Sequence, residues 1–175
     1  MNIIGMDLGT SLAKLIECDE QGKLINKILL GEKNPKNALE KFVGSCNIDM
    51  KNIGIIVATG VGASKIDDSE INGIKVVKEN EFLSMASGGI ALSGKEKAIT
   101  ASMGTGTAFV RVEGEDIKHL GGTGVGGGTL LNLCNRFMGT KSFSEIVEIA
   151  EGGDLGLVDL RIKDITTEPI PRVTR

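Results

Sequence analysis

The chain contains no tryptophan, no tyrosine and only five phenylalanines, so the core it can bury is mostly aliphatic. A formal net charge of −3 leaves it without the basic field that nucleic-acid binding requires. Its three cysteines, Cys18, Cys46 and Cys134, are odd in number, far apart and outside any C-x-x-C pair. That usage reads as buried thiols in a reducing, cytoplasmic setting rather than a metal centre. No apolar run is long enough to cross a bilayer, and Asp7 interrupts the N-terminal one, so neither a membrane partner nor a secretory signal is expected. With 41% hydrophobic and 25% charged residues, the 175 residues suit one globular domain or two small lobes.

Glycine is abundant, at 25 residues, and clustered, which points to ligand sites built from backbone. The first cluster lies in MNIIGMDLGTSLAKL. An apolar run from Ile3 to Met6 delivers Asp7 to its end, a small-residue turn of Gly9, Thr10 and Ser11 follows, and a second apolar run starts beside Lys14. This predicts a β-hairpin with a phosphate-sized tip. Gly9 admits close approach of a ligand, Thr10 and Ser11 offer hydroxyls and N–H groups, Lys14 can meet phosphate oxygens, and Asp7 can hold Mg²⁺ through water. The same pattern also suits an ordinary tight hairpin. In the form D-x-G-[TG]-[ST]-x-x-K it resembles the first phosphate loop of the sugar kinase/actin superfamily, and it is not a P-loop.

Further along, Lys23–Leu30 reads as a third strand. Asn34 before Pro35 signals a helix start, and Ala38, Leu39, Phe42, Val43 and Cys46 share one face. Ile53–Ala58 has the continuous apolar character of a buried parallel strand and ends in Thr59-Gly60-Val61-Gly62-Ala63. A short strand, Ile74–Val77, leads through Glu79-Asn80-Glu81 into a helix carrying Phe82, Leu83, Met85, Ala86 and Ile90. The order β-β-β-α-β-β-α is that of a ribonuclease H-like lobe over residues 1–94. The pattern then restarts: strands at Ala98–Met103, Ala108–Val112 and Ile117–Leu120, with Gly104-Thr105-Gly106-Thr107 as the first turn. Residues 95–175 therefore read as the start of a second such lobe, giving an α/β fold with two glycine-tipped hairpins facing a shared cleft. Ser142 with Glu145 forms a capping box, and Gly152-Gly153 stops the helix it opens.

Gly121-Gly122-Thr123-Gly124-Val125-Gly126-Gly127-Gly128-Thr129 precedes a helix expected from about Leu130 to Phe137. Such a loop presents open N–H groups and a helix N-terminus to an anion, or else serves as a flexible linker. Glu81, at a strand-to-helix junction, is placed either to take a proton from a substrate hydroxyl or simply to favour the first turn of its helix. His119, the one histidine, sits just before the glycine-rich loop; it is either a structural strand residue or a ligand contact.

MDLGTSLAKL, ATGVGASK, ENEF, GTGT and GGTGVGGGTLLNLC occur in this order, followed by FSEIVEIAEGGD and VDLRIKDI. In these segments the chain resembles the type II pantothenate kinases. The resemblance implies ATP- and Mg²⁺-dependent phosphorylation of pantothenate, the first step toward coenzyme A, with Glu81 as the catalytic base. It implies nucleotide-phosphate contacts from Lys14, Gly9 and Thr10, and a cleft lined by Gly122, Thr123, Gly126, Gly127 and Gly128; Gly104, Thr105 and Gly106, which mirror the first hairpin tip, are expected to meet the phosphates from the other side. It also implies a homodimer when complete and acyl-CoA or coenzyme A as a possible feedback ligand.

Three departures stand out. The family's substrate-contacting arginine before the glycine-rich loop is here His119, which lacks the bidentate fork. The serine that follows GTGT is here Ala108, so Thr105, Ala108 and His119 make up the substrate side. The family also continues well beyond Arg175, so the second lobe is expected to be incomplete, as a fragment or as a truncated paralogue. The competing readings are a nucleotide- or acyl-CoA-binding regulatory paralogue and a kinase for another hydroxyl substrate. An ATPase activator of a radical dehydratase shares the fold but needs clustered cysteines.

Overall fold

A computed structural model describes residues 1–66, 69–160 and 162–165, with backbone alone at 162 and 163. The proline-containing end, PIPRVTR, lies outside the described residues. The chain divides into two compact units, Met1–Thr129 and Leu130–Arg175.

The first unit holds two sheets. β1 (Asn2–Leu8), β2 (Ala13–Cys18) and β3 (Leu24–Leu30) form an antiparallel meander. α1 (Pro35–Cys46) leads to β4 (Ile53–Thr59), and a two-residue strand β5 (Glu70–Ile71), with no counterpart in the sequence reading, precedes β6 (Ile74–Lys78). The strand order is β3-β2-β1-β4-β6-β5, with β1, β4 and β6 parallel. The apolar run at Ile53 is thus the buried parallel strand its composition predicts.

α1 starts where expected: the Asn34 side chain accepts from the N–H groups of Lys36 and Asn37, and Pro35 opens the helix. Its Ala38, Leu39 and Phe42 are fully buried in a core with Ile4, Met6, Leu15 and Ile56.

α2 (Glu81–Ser93) is capped by Asn80, whose side chain accepts from Phe82 N–H and Leu83 N–H. The second sheet is an antiparallel β7-β8-β9: Lys97–Met103, Thr107–Glu113 and Asp116–Thr123. α2 was expected to close the first lobe. Its Phe82, Met85, Ala86 and Ile90 pack instead with Val110, Val112 and Ile117 of the second sheet.

β9 runs three residues further than its apolar pattern, through Gly121, Gly122 and Thr123, because the ladder to β8 continues at Ala108–Gly122 and Thr107–Thr123. α3 (Gly127–Met138) likewise begins before Leu130. Only residues 124–126 of the expected nine-residue loop lie outside regular structure.

In the second unit, α4 (Phe143–Glu151) is capped by the Ser142 hydroxyl, which accepts from Glu145 N–H. The Glu145 carboxylate does not close the capping box. It takes the Thr140 hydroxyl, whose oxygen accepts from Ser142 N–H at 3.1 Å. Two single turns, Leu155–Val158 and Ile162–Ile165, follow. Among the described residues of this unit, Ile146 is the one buried apolar side chain.

Candidate active site

Parallel strands carry ligand sites outside their carboxyl ends. Here the carboxyl ends of β1, β4 and β6 bring together Asp7, Thr59 and the segment leading into α2. Asp7 and Thr59 are neighbours in the β1–β4 ladder. The Thr59 hydroxyl donates to the Glu79 carbonyl at 3.0 Å, and Glu79 N–H donates to the Ala58 carbonyl at 2.8 Å. Two residues on, Glu81 opens α2 with an exposed side chain. Thr59 is thus a brace between the strand beside Asp7 and the helix that carries Glu81; the sequence marks the segment it opens, but not this bond.

Gly60 completes this end. Its φ of +82° is a left-handed conformation, and a Cβ there would lie 2.8 Å from Asp7 Oδ1 and 2.8 Å from the Leu8 carbonyl. Only a residue without a side chain lets β4 turn this close to the Asp7 carboxylate.

The β1–β2 hairpin forms as predicted, closed by Gly9 N–H donating to the Leu12 carbonyl at 3.1 Å. Lys14 faces Asp7 across the ladder, with Nζ donating to Oδ2 at 2.6 Å, and both side chains are part exposed. In this conformation the two charges satisfy each other.

The second hairpin meets the first. The Thr105 hydroxyl lies 2.9 Å from the Ser11 hydroxyl and 3.2 Å from that of Thr10. The tips expected to face one cleft are in hydrogen-bond contact through three hydroxyls.

The glycine-rich segments of the second sheet hold each other by backbone. Gly127 N–H donates to the Gly104 carbonyl at 2.8 Å and Gly128 N–H to the Thr105 carbonyl at 3.0 Å. A Cβ at Gly126 would lie 2.7 Å from the Gly106 carbonyl carbon, so the two chains touch with no room for a side chain. Thr107 Oγ1 donates to the Val125 carbonyl at 2.8 Å. The α3 amides expected to be open to an anion are therefore engaged at Gly127 and Gly128, and the loop is a clasp on the Gly104–Thr107 turn. Gly122 and Thr123 are strand residues, and Ala108, opposite Gly122, is half-buried.

His119 is exposed and stacks on Phe82, with ring centroids 4.0 Å apart and planes 17° from parallel. The pair joins β9 to the first turn of α2; its long sequence separation left no signal.

Beside Gly9 and Thr10, a cleft of about 190 Å³ is bordered by Gly62, Glu32, Lys33 and Lys65. The Lys41 ammonium, with the Asn34 and Lys33 amides, holds the Glu32 carboxyl down at about 2. Burial pushes the Cys18 thiol up, with the Asp19 and Glu17 charges adding to it. Among the described residues no group of three or more histidine, cysteine, aspartate or glutamate side chains is placed to hold a metal ion.

Two sheets, the strand order of the first and hairpin tips meeting at one end make this a protein of the sugar kinase/actin fold. Among solved structures, it superimposes with a TM-score of 0.63 on an activator of the 2-hydroxyisocaproyl-CoA dehydratase from Clostridium difficile with bound ADPNP. That match covers 88% of this chain and 58% of the other at 16% identity, a likeness of fold alone. A family model described as Fumble matches residues 98–174. Over 169 residues the chain is 29% identical to the type II pantothenate kinase of Bacillus cereus (strain ATCC 10987 / NRS 248), covering 93% of this chain and 58% of that protein. Over 79 residues it is 37% identical to the type II pantothenate kinase of Staphylococcus epidermidis (strain ATCC 35984 / DSM 28319 / BCRC 17069 / CCUG 31568 / BM 3577 / RP62A), covering 43% of this chain and 30% of that protein. The resemblance to type II pantothenate kinases thus extends over nearly the whole chain, and the chain spans about 58% of the length of the Bacillus cereus relative.

Proposed function

We propose that this chain is the nucleotide- and base-bearing portion of a cytoplasmic kinase that transfers the γ-phosphoryl group of ATP to the primary hydroxyl of pantothenate. The observation that carries this reading is the joining of Asp7, Thr59 and the Glu79–Glu81 segment at the carboxyl end of one parallel set of strands. Phosphoryl transfer asks a protein for positioning and charge rather than covalent chemistry, and this end of the sheet offers both.

In this reading Glu81 accepts the proton of the substrate hydroxyl. The hydroxyl oxygen bonds to the γ-phosphorus as the bond to the leaving ADP oxygen breaks. Lys14 can exchange Asp7 for a phosphate oxygen, since both side chains reach solvent. The hydroxyls of Thr10, Ser11 and Thr105 already converge on one point, where phosphate oxygens would take their hydrogen bonds. Asp7 fits a magnesium ion: Mg²⁺ commonly takes one carboxylate and completes its shell with water and phosphate. When bound, it would offset charge on the transferred group. ADPNP in a structure of the same fold supports a nucleotide here.

His119 and Ala108 stand on the substrate side, with Thr105 reaching both sides. Homodimerisation and feedback by acyl-CoA or coenzyme A belong to the same reading, carried by the resemblance to type II pantothenate kinases. A regulatory nucleotide-binding role is the second reading, favoured by the mutual engagement of Lys14 with Asp7 and of the α3 amides with the Gly104–Thr107 turn. The test is transfer of labelled phosphate from ATP to pantothenate. Product that depends on both substrates supports the kinase; nucleotide binding without product supports the regulatory role.

A further inference from the structure

The His119 side chain has no hydrogen-bond or ion-pair partner among the described residues; it lies against the Phe82 ring. A stacked imidazole has one face covered and its nitrogen-bearing edge open. An exposed histidine without such a contact samples several rotamers; one laid on a ring does not.

The strand is built to make the stack. The β8–β9 register shifts between Phe109 and Val110: Phe109 pairs with Gly121, and Val110 with His119. Leu120 is the extra residue, and it is left 47% exposed. Such a bulge re-aims the side chains that follow it. Here it sets His119 opposite Val110, whose side chain is fully buried in the cluster that includes Phe82 and Ile117. His119 therefore lies on the α2 side of the sheet. Phe82 follows Glu81 directly in the first turn of α2, so the stack ties that turn to the strand entering the glycine-rich segment.

We propose that Phe82 is a positioning residue for the substrate side of the site. Its ring is the platform that fixes the His119 imidazole, so that Glu81 and His119 meet one substrate as a single unit. This rests on the kinase reading above. It gives a role to the last residue of the ENEF segment, which the sequence marks only as part of a helix face, and it assigns the Leu120 bulge a role.

The sequence makes the test clean, since His119 is the one histidine and no tyrosine or tryptophan overlaps its signals. Phe82→Leu keeps apolar volume against Val110 and Val112, and Phe82→Tyr keeps the ring. Proton NMR of the protein should show the His119 Cε1–H resonance shifted upfield by the Phe82 ring current. The shift should be lost in Phe82→Leu and kept in Phe82→Tyr.

With ATP and pantothenate, Phe82→Leu should raise the pantothenate KM roughly tenfold, the low end of losing a charge-assisted hydrogen bond, with kcat within about twofold. Phe82→Tyr should restore it, and Phe82→Leu added to His119→Ala should cost nothing more. A ring shift absent from the wild type or unchanged in Phe82→Leu overturns the proposal, as does an unchanged KM or full additivity in an active protein. A wild-type protein with the ring shift but no phosphate transfer to pantothenate overturns the kinase reading instead, and with it the substrate role of the stack.

Discussion

The two sheets of the first unit are held together by different means. The six-stranded sheet has a continuous aliphatic core, in which Ile4, Met6, Leu15, Leu39, Phe42 and Ile56 are all but inaccessible. Among the described residues, the core between the three-stranded sheet and α2 holds three buried side chains, Ala86, Val110 and Val112, and the sheet adds backbone contact between the Gly104–Thr107 turn and Gly126–Gly128. Side-chain packing makes the first a firm base for Asp7 and for the Thr59–Glu79 link that leads to Glu81, whose helix packs on the second sheet. Backbone packing makes the second a thin, close-fitting clasp whose tip reaches the first sheet through the hydroxyls of Thr105, Thr10 and Ser11. The lesson is that the glycines serve two purposes: Gly60 lets β4 turn beside Asp7, and several others let one stretch of backbone lie on another.

The strongest way to break the comparison is to excavate each core. Phe42→Ala should cost about 3–5 kcal/mol, and Val110→Ala about 1.5 kcal/mol for two carbon-sized groups. Urea unfolding followed by circular dichroism reads both. Equal losses would mean that the second sheet is packed as deeply as the first.

Gly126→Ala comes next. Its new methyl group would collide with the Gly106 carbonyl, so the clasp must open. Hydrogen exchange at the Gly127 and Gly128 amides should accelerate, while exchange in β1 and β4 stays slow. Acceleration in both sheets would show that the clasp and the first core are one cooperative unit.

The sheets were legible in the sequence to different degrees. The Asn34-Pro35 start of α1, the apolar β4 and the Gly9–Ser11 hairpin could be read directly, because each is a local signal on a well-buried element. The partnership of α2 with the second sheet was not legible, since its apolar face fits either sheet equally. By sequence the glycine-rich segment resembles an open loop, because glycine hides the alternation that marks a strand; the ladder to Thr107 and Ala108 shows β9 running through it. Of the site, Asp7, Lys14 and Glu81 could be picked out by their places at strand ends. Thr59 and Phe82 lie in segments the sequence marks, but what they do is not legible there, because it depends on partners distant in sequence.

A smaller effect is expected at the link between the sheets. Thr105→Val removes the hydroxyl that meets Ser11 and Thr10 while keeping the shape. A loss of about 0.5–1.5 kcal/mol in stability is expected for an exposed neutral hydrogen bond. ATP affinity measured by calorimetry should fall as well. A stability loss with unchanged ATP affinity would leave Thr105 as a structural link alone.

The smallest effect concerns acid. The Glu32 carboxyl is held at about 2, chiefly by Lys41, below its ordinary value of about 4.3. A carboxyl lowered by folding contributes stability above its unfolded value and loses it as pH falls through the folded one. The melting-temperature gap between wild type and Glu32→Gln should therefore be full above about pH 4.3 and close toward pH 2. A gap that persists unchanged at pH 2 would place the stabilisation elsewhere.

The central claim is that the carboxyl end of the first sheet does the chemistry, with Glu81 as base. It is tested most directly by Glu81→Gln, with ATP binding followed by calorimetry and phosphate transfer to pantothenate followed in parallel. The expected result is ATP affinity within about twofold of wild type and a kcat lowered roughly 10²–10⁴-fold, the usual contribution of a general base. Near wild-type turnover in Glu81→Gln would contradict the claim and leave Glu81 as the first residue of a helix.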